Sequence, residues 1–118
     1  MELTKMDKIQ VAYKDIVLAD GSANEEYLAG LRTRLKEIEA GGGQVMLEPE
    51  LLPEDCKDVD AALEVTAAYK HCARRVKDCQ SVKGFFVPAL FSSMERGAEL
   101  ADNFKSELLE KHPHYIFG

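Results

Sequence analysis

The sequence predicts an α/β fold built on a parallel sheet. Short apolar runs alternate with longer amphipathic ones, glycine or proline punctuates the boundaries, and 118 residues that are 46% hydrophobic and 31% charged suit one globular domain. The order reads β-α-β-α-β-α-β, a parallel sheet of about four strands with three crossover helices. Right-handed crossovers allow two layouts: an open doubly wound sheet with helices on both faces, or a half-barrel in sequential strand order.

The N-terminal stretch carries two patterns, since Leu3, Met6, Tyr13 and Ile16 fit a helix while Ile9, Val11 and Tyr13 alternate like a strand. The first strand is assigned to Ile16-Val17-Leu18. From residue 24 to 40, Tyr27, Leu28, Leu31, Leu35 and Ile38 recur at helical spacing. Ser22 followed by Glu25 has the capping-box pattern at its start, and Gly41-Gly42-Gly43 ends it. Gln44 to Glu48 is a buried strand closed by Pro49, which has no N–H for the ladder. A second helix spans Asp58 to Cys79 through Val59, Ala62, Leu63, Thr66, Tyr69, Ala73 and Val76, after a surface loop at 52–57. Val82 to Val87 is a strand stopped by Pro88. Ser92 and Glu95 repeat the capping spacing before a third helix marked by Met94, Ala98, Ala101, Phe104 and Leu108, and His114 to Phe117 closes the sheet.

Twenty-one acidic against 15 basic residues give a net charge of −6, which argues against a surface made to neutralise nucleic-acid phosphates or anionic lipid. The longest apolar run, Phe85 to Phe91, is far shorter than a membrane span, and Met1 to Lys8 interleaves charge with apolar residues unlike a secretion signal. Three cysteines are an odd count that suits reduced thiols and a cytoplasmic setting. Cys72 and Cys79, read on one helix, would be about 10 Å apart along its axis, too far to bridge.

A parallel α/β sheet places ligands beyond the carboxyl ends of its strands. The candidate ligand-binding residues there are Asp20, Ser22 and Asn24, then Glu48 and Glu50, then Ser92 and Ser93. The first and third groups precede helices whose free N–H groups attract anions, yet neither is a P-loop or a dinucleotide fingerprint. Glu48 and Glu50 flank Pro49 in an extended segment, so both carboxylates project from one side with Cα atoms roughly 6–7 Å apart. Cys72 and Cys79 lack zinc-site spacing, and Ser92-Ser93 lacks a nucleophile elbow. No catalytic residue, metal or cofactor is expected.

Gly43-Gln44-Val45-Met46-Leu47-Glu48, followed by Leu52-Pro53, resembles the strand of family 5 glycoside hydrolases that ends in Asp-x-His before Pro-Gly. Cys79 to Pro88, with Val82-Lys83-Gly84-Phe85, resembles their later strand, where Val-x-Gly-Phe leads into Asn-Glu-Pro, and the helix with Ala68-Tyr69-Lys70 is similarly placed. The resemblance covers roughly residues 43–118, about a third of a barrel of about 250 residues. It implies a barrel fragment or degenerate homologue, because Val87-Pro88-Ala89-Leu90 stands where the acid/base motif belongs and the strand-end histidine is missing.

The resulting expectation is a small, acidic, non-enzymatic α/β domain that binds a partner protein or a small-molecule ligand, with no nucleic-acid or membrane partner. A half-barrel would have two open edges, which a homodimer would cover. The alternatives are a carbohydrate-binding or glycosidase-like fragment using Glu48 and Glu50, and a doubly wound regulatory or nucleotide-binding module using Asp20.

Overall fold

The computed structural model describes residues 7–118. Four strands, β1 (Asp7–Ala12), β2 (Val45–Glu50), β3 (Val82–Phe85) and β4 (Ile116–Phe117), pair in parallel in the order β1-β2-β3-β4. Four helices accompany them: α1 (Tyr13–Ile16), α2 (Glu25–Ala40), α3 (Val59–Arg75) and α4 (Gly97–Leu109). With sequential order every crossover steps the same way, so crossovers of one hand put all the connecting helices on one face. This is the half-barrel order; a doubly wound sheet reverses direction at a switch point, and this one does not.

Burial follows the same division. Ile9, Val11, Val45, Leu47 and Phe85 join Leu35, Tyr69 and Phe104 of the helices in one core, whereas Lys8 and Gln10, alternating with Ile9 and Val11, are exposed. Tyr69 crosses from α3 to donate its hydroxyl to the Val11 carbonyl at 2.5 Å. Phe85 and Phe104 meet edge-on at 6.4 Å, a geometry aromatic rings prefer.

Several expected boundaries move. Ile16-Val17-Leu18 is not a strand: Ile16 ends α1, and Val17 makes only an isolated antiparallel bridge to Ala23. The N–H of Leu18 bonds the Ser22 carbonyl and that of Gly21 the Leu18 carbonyl, closing a tight turn in which Gly21 takes φ +89°. The alternation of Ile9 and Val11 makes the first strand instead; Leu3 and Met6, which supported a helix, lie outside the described residues.

The cap of α2 is Asn24, whose Oδ1 accepts from the Tyr27 N–H at 3.1 Å, and not Ser22. Pro49 sits inside β2, in register with Val11. Val45 and Leu47 direct their backbone bonds toward β3, so Pro49 does too, and β3 stops at Phe85 before the missing N–H would be needed. Helix α3 ends at Arg75, leaving Cys79 beyond it; Cys56, Cys72 and Cys79 are nonetheless free and buried.

Helix α4 begins at Gly97, and the expected box of Ser92 and Glu95 does not form. Residues Ala89–Ser93 make a 3-10 turn in which the Ser92 and Ser93 hydroxyls donate to the Ala89 and Leu90 carbonyls, both at 2.8 Å. The loop at 52–57 contains a second 3-10 turn, Pro53–Cys56, where the Asp55 carboxylate accepts from the Leu52 N–H at 2.9 Å. His114 and Tyr115 precede β4 rather than belonging to it. Among the described residues, no helix is long and apolar enough to cross a membrane.

Candidate functional site

Strand alternation assembles a second surface on the sheet face away from the helices. The register Lys8↔Met46↔Gly84↔Ile116 forms one row across it, and Gln10 beside Glu48 begins the next. The Glu48 carboxylate accepts from Gln10 Nε2 at 3.3 Å and lies 3.6 Å from Lys8 Nζ. Lys8 Nζ also stands 5.3 Å from the centroid of the Phe86 ring, within cation–π range. A Cβ added to Gly84 would fall 1.7 Å from the Ile116 carbonyl oxygen, so only glycine lets β4 approach β3 here. Phe117 packs toward the core and Ile116 therefore faces outward, 53% exposed.

At the carboxyl edge, Glu48 and Glu50 line one small cleft of about 200 Å³ together with Gln10, Leu51 and Leu90. Leu90 is shared with a larger neighbour of about 510 Å³, which Ser93, Lys57, Asp58 and Glu95 also line. The sheet thus gathers Glu48, Glu50 and Ser93 at one edge. Most polar groups there are already engaged: Ser93 with the Leu90 carbonyl, Asp58 as the α3 cap on the Ala61 N–H at 2.8 Å, and Glu48 with Gln10 and Lys8.

Asp20, Ser22 and Asn24 stand apart from that edge and serve the turn before α2. Asp20 Oδ1 accepts from the Ser22 hydroxyl at 2.6 Å and from the Ser22 N–H at 3.0 Å, which holds its carboxyl below the usual range. Ser92 lines a separate groove beside Gly97 and Ala101. Glu25, displaced from the expected cap, bridges to α3 instead: its oxygens meet Arg75 Nε at 2.8 Å and His71 Nε2 at 2.9 Å, lowering its pKa.

No protein-family model, curated protein or solved structure matches the chain. Among the described residues, no group of three or more His, Cys, Asp or Glu side chains is placed to hold a metal ion. Thiol chemistry finds no support in the cysteines: burial pushes the Cys72 thiol up to about 12 and raises Cys56 and Cys79 as well, so the nucleophilic thiolate is scarce at neutral pH.

Sequence reasoning missed Lys8, Gln10 and Ile116 as surface-forming residues. The signal was present in the polar positions that alternate with Ile9 and Val11, and it was lost when the first strand was set at residues 16–18.

Proposed function

We propose that this chain works by binding rather than by catalysis, and that its open sheet face takes a second copy of itself. The observation that carries this reading is a parallel sheet in sequential order with, among the described residues, helices on one face only. Parallel sheets are stable where both faces are covered. A second copy fits the need because β1 and β4 are both outer strands of the same parallel sheet. A two-fold axis along the strands sets β1 of one copy beside β4 of the other and continues the parallel order. Eight strands enclose an interior just wide enough to be filled by side chains. Met46, Ile116 and Phe86 supply bulk, Gly84 supplies room, and Lys8 enters already neutralised by Glu48.

Light scattering on the purified chain at micromolar concentration tests this. The expected particle has twice the 13.2 kDa of one chain. Ile116→Lys should return it to a single chain with unchanged circular dichroism, while Leu109→Lys on α4 should leave the dimer intact. A monomer throughout the micromolar range, or a dimer indifferent to Ile116→Lys, overturns the reading.

A further inference from the structure

A cleft on the helical side, away from the open face, is organised differently from those at the carboxyl edge. It lies between α1 with its following turn and α3, and has a volume of about 320 Å³, within the range that holds small ligands. Buried Ile16 forms part of its wall. On α3, Ala67 and Ala68 lie three and four residues after Glu64 and four and three before His71, so the four share one helix face. The two alanines recess the middle of that face and leave the carboxylate and the imidazole standing at either end.

The polar groups are unevenly committed. His71 is tied to Glu25, which also holds Arg75, so the polar groups at that end are already engaged. Glu64, by contrast, makes no salt bridge among the described residues. Tyr13 and Glu64 line this same cleft, and burial first, then the Glu64 charge, raise the Tyr13 phenol pKa. A negative carboxylate, an aromatic ring and an apolar recess are the elements that recognise an organic cation: the ammonium group pairs with the carboxylate and ring while its hydrocarbon body fills the recess.

We infer that the α1–α3 cleft is a binding site for a small organic ammonium compound, with Glu64 and Tyr13 receiving the cationic group and Ala67 and Ala68 accommodating its apolar body. The site is independent of the open sheet face and would operate in a single chain or a dimer.

The probe is benzylamine, titrated at neutral pH into the full ¹⁵N-labelled chain while backbone resonances are followed, with benzyl alcohol and benzoate as neutral and anionic counterparts. Saturable shifts at Tyr13, Ala67 and Ala68 with benzylamine are expected, together with at least tenfold weaker binding of the other two. Glu64→Gln should weaken benzylamine binding about tenfold and leave benzyl alcohol unaffected; Ala67→Leu should fill the recess and weaken both. Resonance dispersion in each variant shows whether the fold is retained. Absence of saturable shifts, equal binding of benzoate, or an unchanged benzylamine affinity in Glu64→Gln overturns the inference.

Discussion

At the scale of single residues, the interior rests on a few polar groups held away from water. Tyr69 is fully buried, and its hydroxyl bonds the Val11 carbonyl where β1 ends. Burial raises its pKa well above the ordinary phenol value, so it is a neutral donor at any physiological pH. Tyr69→Phe keeps the ring and its contacts with Tyr13, Phe85 and Phe104 but leaves the carbonyl without that donor. The expected loss is about 1–2 kcal/mol, read as a lower urea midpoint with an unchanged slope. His112 acts in the opposite sense. It is 2% exposed, stacks on Tyr115 at 4.7 Å, and its Nε2 has no hydrogen-bond partner among the described residues. Burial first, then the charges of His114, Lys77 and Arg74, lower its pKa from the usual value of about 6.5. The unfolded chain therefore takes up this proton at a higher pH than the folded one, and stability falls as pH drops through about 6.5 toward the folded value. His112→Phe should flatten that part of the profile, measured as the difference in urea midpoint between pH 7.5 and pH 5.5. A variant whose midpoint falls as steeply as the parent would assign the acid sensitivity elsewhere.

At the scale of elements, β4 is the most exposed to disruption because it is two residues long and paired through Gly84. Gly84→Ala places a methyl group against the backbone oxygen of Ile116, which no rotamer change relieves. The strand must shift, at a cost of roughly 1–3 kcal/mol, and the urea midpoint should fall accordingly. The same edge forms part of the proposed dimer contact, so light scattering on this variant should also show weaker association. The long elements were legible in the sequence because periodicity over 16 residues of α2 or 17 of α3 outweighs local ambiguity. Their termini were not. Ser22 and Ser92 each had an acidic residue three positions on, but side-chain oxygens compete for nearby backbone groups, and Asp20 and the Ala89 carbonyl claimed these hydroxyls. Strand β1 was misplaced for a related reason: the N-terminal stretch carries a helical pattern through Leu3, Met6, Tyr13 and Ile16 beside the strand alternation of Ile9, Val11 and Tyr13, and the turn made by Gly21, which excludes a strand at 16–18, depends on bonds between residues that sequence alone does not pair. The candidate site followed the same pattern. Glu48 and Glu50 lie within the last three residues of β2, which runs past the Pro49 boundary expected of it, whereas the neighbours Gln10 and Leu90 that complete their cleft come from other elements.

At the scale of the whole molecule, the sequential strand order decides where catalytic groups would have to stand, and it bears on the expectation, raised by sequence and matched by no known protein, that residues 43–118 are a glycosidase-like fragment. Both glycosidase mechanisms place two carboxyl groups on opposite sides of the scissile bond, one of them able to protonate the leaving oxygen. Glu48 and Glu50 are two positions apart on one strand and approach a cleft from the same side. The Glu48 carboxylate is moreover already engaged by Gln10 and Lys8. Across the cleft stand Ala89 and Leu90, with no carboxylate. Glu95 lines the adjacent cleft beyond Leu90. A positioned acid or base contributes about 10²–10⁴-fold, so without a facing partner the turnover of nitrophenyl glycosides should be indistinguishable from buffer. The same assay with Glu48→Gln and Glu50→Gln checks the argument: turnover by the parent chain that either substitution abolishes would mean that the two carboxylates, despite sharing one strand and one side, do act as an acid/base pair.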